Sequence, residues 1–133
     1  MTAHASADRY RQMDIAAMTP AQRIVALYGR LLLLLRQARL AIGSGDIAAR
    51  EAKLDHASEI LHELAASLDL EAGGELATRL AALYAWLIGE CLAVHIRPDV
   101  SRIDPMITVV DELHGAWVAV ARQVPPPAWD QAG

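Results

Sequence analysis

Apolar residues recur at three- and four-residue intervals in four successive blocks of the chain, the period of amphipathic helices, and each block ends in residues that stop a helix. The first stripe is Ile24, Leu27, Tyr28, Leu31, Leu35, Ala38 and Ile42, opened by Thr19-Pro20 as N-cap and first helical residue and closed by Gly43-Ser44-Gly45. In the second block Asp46 is placed to cap a helix that buries Leu54, Ala57, Leu61, Leu64 and Leu68 and turns Glu51, Asp55, Glu59, His62 and Glu63 outward. Gly73-Gly74 then reverses the chain, because glycine accepts the positive φ that other residues resist. A third helix is expected from about Glu75 to Ile96, with Leu76, Leu80, Leu83, Leu87, Cys91 and Val94 inward. Arg97-Pro98 stops it, since the residue before a proline avoids the α region. Asp104-Pro105 reads as the cap and first residue of a fourth helix, with Ser101 as an earlier cap, and the helix buries Met106, Val110, Leu113, Trp117, Ala121 and Val124. Pro125-Pro126-Pro127 ends it.

Four helices of roughly 20 residues joined by short connections predict an all-α fold, an antiparallel up-down-up-down four-helix bundle. Its divisions are a flexible N-terminal arm over residues 1–18, the bundle over 19–124, and a Pro-rich extended tail over 125–133. Helix 1 carries Arg23, Arg30, Arg36 and Arg39 with no acid between Ile15 and Asp46, whereas helix 2 is acidic, so attraction between those two helices is expected to favour their antiparallel pairing.

Composition narrows the classes. A chain of 133 residues, 54% hydrophobic and 21% charged, suits one domain with one core. Phe is absent and aromatics are 5%, so the core must be aliphatic, with Tyr28, Tyr84, Trp86 and Trp117 as the few large side chains. A net charge of -4 without any dense Lys/Arg cluster argues against nucleic acid as a partner. The lone Cys91 sits among apolar neighbours and reads as a small core residue. No apolar run follows the charged N-terminus, so no secretory signal is expected and the product is expected to stay in the cytoplasm. Leu80 to Ile96 is apolar apart from Glu90, yet a spanning helix needs about 20 residues and tolerates a mid-span acid badly, so a buried helix is expected rather than a membrane span.

Two acid-x-x-His words, Glu59 to His62 and Asp111 to His114, have the spacing of ligands in di-metal bundles. Such a centre also needs inward carboxylates from the other two helices. Helix 1 has none, and Glu59 and His62 point away from the apolar stripe of helix 2, so no metal site is expected to close. No catalytic constellation, phosphate loop or cofactor motif occurs, and an enzyme is not expected.

What remains unexplained is apolar surface beyond the needs of the core. Ala26, Gly29, Leu33 and Leu40 form a second stripe on helix 1, and Ala82, Ala85, Trp86, Gly89, Ala93 and Ile96 do so on helix 3. A helix apolar all round is covered on both sides, here by something other than the other three helices. Gly29 and Gly89 each cost about 1 kcal/mol in a helix interior, and on those faces they would let a partner backbone approach. Grooves of this kind receive amphipathic helices, from a partner or from a second copy.

The stretch SLDLEAGGELATRLAALYAWL resembles the middle of the FliS family of flagellin-specific export chaperones, in its Ser-Leu-Asp, Gly-Gly and Leu-Tyr. TPAQRIVALY is similar to the family's Ser/Thr-Pro, paired aliphatics and Leu-Tyr, although Gly29-Arg30 stands where the family usually has Asp-Gly. The resemblance covers roughly Tyr10 to Trp117. It implies a chaperone that binds the disordered C-terminal segment of newly made flagellin, blocks premature polymerisation and escorts the subunit to the export gate. Partner-binding residues are then expected at Ala26, Gly29, Leu33, Leu40, Ala82, Trp86, Gly89, Ala93 and Ile96. Tyr10, which matches a family position, and Ile15 would cover a groove in the absence of client. The alternatives are a homo-oligomeric helical module using the same grooves, including a weak homodimer, and a metal-binding bundle.

Overall fold

The computed structural model describes residues 18–123, which form four helices and no strand: α1 (Pro20–Ser44), α2 (Ile47–Ala66), α3 (Leu70–Ile96) and α4 (Val100–Gln123). Gly45–Asp46, Ser67–Asp69 and Arg97–Asp99 are the whole of the connections, and their brevity fits the up-down-up-down order. α1 packs most extensively against α2 and α4, and α2 also packs on α3. The contact between α3 and α4 is the thinnest of the adjacent pairs.

The stops and starts have local causes. At Thr19 a capping box forms, the Gln22 N–H donating to Thr19 Oγ1 at 3.1 Å and the Thr19 N–H to Gln22 Oε1 at 2.9 Å. Gly45 ends α1 at φ 71°, a left-handed cap whose geometry lets the Asp46 N–H reach back to the Ala41 carbonyl at 2.9 Å. Asp46 then caps α2 by accepting from the Ala49 N–H at 3.0 Å.

Two boundaries differ from expectation. The third helical stretch begins at Leu70, with Asp69 accepting from the N–H groups of Glu71 and Ala72. Its first turn is separated from the main run by a kink at Gly74 (φ 55°, ψ -134°). The reversal therefore lies at Leu68-Asp69, and the expected start at Glu75 is where the helix resumes after the break. α4 begins at Val100, with Asp99 accepting from the N–H and hydroxyl of Ser101, so neither Asp104-Pro105 nor Ser101, which lies inside the helix, is its cap. Pro105 is tolerated inside the helix because it removes only the donor to the carbonyl of Ser101, an exposed residue that water can reach.

The core is mainly aliphatic. Tyr28, Leu31, Leu35, Ala38, Leu54, Ala57, Leu61, Leu64, Leu87, Cys91, Val94, Met106 and Val110 are buried as the periodicity requires. Leu32, Leu34 and Ala41 of α1, Ile60 of α2 and Ile103 of α4 are buried in addition, so α1 is enclosed over a wider arc than one stripe. Leu76 was expected inward and is 65% exposed, because it follows the Gly74 kink at the end of the bundle. α3 is long and apolar enough to span a membrane by length and composition alone. In this bundle, however, its Leu80, Tyr84, Leu87, Cys91 and Val94 are buried in the core.

The charged pairs also depart from expectation. Two of the arginines of α1 pair with α4 rather than with acidic α2, Arg39 with Asp104 and Arg36 with Asp111 at 3.8 Å. Asp55 of α2 instead meets His95 of α3 at 3.0 Å. Helix-wide charge does not decide which flank of α1 carries the cation. Arg36 and Arg39 lie on the flank that faces α4.

Candidate partner-binding surface

At the centre of the bundle the hydroxyls of Tyr28 (α1) and Tyr84 (α3) share a hydrogen bond of 2.5 Å. Trp117 of α4 lies 6.3 Å from the Tyr28 ring, centroid to centroid. Burial raises the pKa of both phenols, and for Tyr84 the bond to Tyr28 raises it further, so both stay protonated. Burial, with a smaller contribution from the Glu90 carboxylate, pushes the Cys91 thiol up to about 12, which makes it a poor nucleophile. These groups hold helices together across the bundle.

The surface is apolar where the sequence has excess. Leu33 and Leu40 are 45% and 70% exposed on α1, and Ala26 is exposed on the same face. On α3, Trp86 is 41% exposed, Ile96 is exposed with Ala82 and Gly89, and Ala93 is half-buried. Gly29 departs from the expected outer stripe. It is half-buried, and a Cβ built on it would stand 3.4 Å from Nε2 of His114, so this glycine admits an α4 side chain rather than a partner backbone. A Cβ on Gly89 would meet nothing within 4 Å, leaving that position open to an approaching chain. Tyr10 and Ile15 lie outside the described residues.

Trp86 is placed by the thin α3–α4 seam. It precedes Glu90 by one turn of helix, and Glu90 reaches Arg102 of α4 at 3.5 Å, so Trp86 stands on the α3 flank nearest α4. Leu83 shares that flank. Val120, about five turns beyond Arg102 on the same side of α4, is 43% exposed. Trp86 lies on the outer stripe that the single-helix pattern marks, whereas the seam beside it depends on how closely two helices pack.

Hollows among the described residues lie at the end of the bundle where α1 and α3 begin, and one beside Pro20, Ile24, Leu27 and Ser67 adjoins both of the following. The first, of about 210 Å³, is lined by Ile24, Leu64, Leu68, Leu76, Leu80 and Trp117, with Ser67 and Asp69 also contributing. A shallow groove of about 300 Å³ runs between α1 and α2 beside Met18, Arg23, Ala26, Leu27 and Glu63. Among the described residues no group of three or more His, Cys, Asp or Glu side chains is arranged to hold a metal ion. Glu59 and His62 are exposed on α2, Asp111 is engaged with Arg36, and His114 lies against Gly29.

The fold and surface define a small helical bundle that leaves apolar faces uncovered by its own described helices. Residues 2–124 match the family described as Flagellar protein FliS. The chain is 32% identical over 115 residues to the flagellar secretion chaperone FliS of Salmonella typhimurium, covering 86% of this chain and 82% of that protein. It is 29% identical to the flagellar secretion chaperone FliSB of Pseudomonas aeruginosa, covering 85% and 93% of the two chains. A crystal structure titled as a flagellar chaperone from bacteria shares the fold with a TM-score of 0.74 at 20% identity, over 91% of this chain and 98% of that one. The chain belongs to the FliS family of flagellar secretion chaperones.

Proposed function

We propose that this chain binds the disordered C-terminal segment of flagellin on its outer apolar faces, holds it from premature polymerisation in the cytoplasm and delivers it to the flagellar export gate. The observation that carries the reading is Trp86, 41% exposed on the α3 flank beside the thin α3–α4 seam, with Leu83 on the same flank. An exposed Trp on an apolar helix face is the kind of side chain that dominates binding energy, and an amphipathic helix is an occupant such a face takes. Ala82, Gly89, Ala93 and Ile96 extend the face along α3, and Ala26, Leu33 and Leu40 offer a second face on α1. In the same reading Tyr10 and Ile15 of the arm cover a groove when no client is present.

Calorimetry of the wild type and of Trp86→Ala against a flagellin C-terminal peptide tests this. Full burial of a Trp removes about 150–250 Å², of which the exposed two-fifths here leaves roughly 60–100 Å² to gain, or about 1.5–2.5 kcal/mol at ~25 cal/mol/Å². The variant should bind roughly ten-fold or more weakly, and the wild type should show a negative heat-capacity change. Trp117→Ala, a change in the packing on Tyr28, should lower stability before affinity. Failure of the wild type to bind removes the proposal, and equal binding by both removes Trp86 from the site.

A further inference from the structure

We infer that the 210 Å³ hollow at the end of the bundle is the seat of Trp129, from the chain's own C-terminal segment. This does not depend on which client the outer faces take. Leu76, 65% exposed at the hollow, is a large apolar side chain that no described residue covers. The occupant must therefore bring apolar area to this end of the molecule.

The reach is sufficient. Trp117 lines the hollow, and α4 continues for six residues to Gln123, about 9 Å of helix. From Gln123 to Trp129 is another six residues, spanning up to about 18 Å in an extended polyproline conformation. A chain that turns back after α4 can thus place the indole over Leu76 and Trp117. Pro125-Pro126-Pro127 restrict the intervening backbone before docking, so less conformational freedom is lost when the indole is seated.

The chemistry also fits. A buried indole N–H needs an acceptor. Asp69 contributes to the hollow, and its hydrogen bonds to the Glu71 and Ala72 N–H groups both use Oδ1, leaving Oδ2 without a partner among the described residues. Asp130 follows Trp129, and Arg23, next to Ile24 of the hollow, makes no ion pair among the described residues. The N-terminal segment is the rival occupant; it enters α1 through Met18, which lines the neighbouring groove between α1 and α2, and the test below separates the two.

Methyl NMR of the full chain and of Trp129→Ala reads the contact directly. In the wild type the methyls of Ile24, Leu64, Leu68 and Leu76 should carry ring-current shifts and show cross-peaks to the Trp129 indole. Trp129→Ala should abolish both, while Leu92 and Ile96 at the opposite end stay unmoved and helical content is unchanged. Trp129→Phe should restore part of the shift. Unchanged Ile24, Leu64, Leu68 and Leu76 methyls in Trp129→Ala overturn the inference. So do shifts that vanish on dilution, which would indicate a second copy, or that follow Tyr10→Ala or Ile15→Ala instead, which would indicate the N-terminal arm.

Discussion

Replacing Tyr84 by Phe removes one hydroxyl from a pair that joins α1 to α3 through the middle of the bundle. Both rings are closed to solvent, Tyr28 at 0% and Tyr84 at 2% exposure, and their oxygens are 2.5 Å apart. The variant keeps the ring and its packing, so the cost comes from the Tyr28 hydroxyl left buried without its partner, about 1–3 kcal/mol. Tyr28→Phe should cost a similar amount for the reciprocal reason. The double variant strands neither hydroxyl and should cost about 1 kcal/mol or less, so the single effects should sum to well beyond the double. Urea unfolding followed by far-UV circular dichroism measures each free energy, and each kcal/mol should appear as roughly 3–6 °C in Tm for a domain of this size. Single-variant losses that simply add in the double would refute the reasoning, since they would mean that each hydroxyl acts through something other than the other.

Gly74→Ala should cost about 1–3 kcal/mol by thermal unfolding, because φ 55° with ψ -134° is a conformation that L side chains resist; a neutral result would mean that the kink relaxes freely. Gly89→Ala should do the opposite, raising stability by about 0.5–1 kcal/mol since its Cβ enters open space, while weakening binding of the flagellin peptide. Stability should also fall at high pH. Cys91, Tyr28 and Tyr84 have folded pKa values raised above their unfolded ones. The unfolded chain therefore releases these protons first, and the stabilisation, complete below pH 9, declines as pH rises past 9 for the thiol and past 10 for the phenols. Cys91→Ala should flatten the curve between pH 9 and about 12, measured by urea midpoints across that range.

Local chemistry settled much of this molecule before any packing was known. Thr19-Pro20, Gly45, Asp46 and Arg97-Pro98 mark helix ends through hydrogen bonds and dihedral limits that involve only near neighbours, and all four hold in the structure. The stripes of α1, α2 and α3 likewise announce Tyr28, Leu54, Leu87 and their companions as core, because burial on a helix follows its period. The family resemblance was readable for the same reason, since the matching words lie in the α1 start and around the α2–α3 reversal.

What the period could not decide was which neighbour each flank meets. Gly29, outward by its helix period, lies against His114 of α4, and Arg36 and Arg39 of α1 pair with α4 rather than acidic α2, because charge carries no direction along a sequence. α3 and α4 begin before the expected Glu75 and Asp104, because Asp69 and Asp99 cap them, their carboxylates accepting from backbone N–H groups two to three residues on. The thin α3–α4 seam that leaves Trp86 and Val120 exposed exists only in three dimensions. It depends on the separation of two helix axes, and that is set by all four helices packing at once.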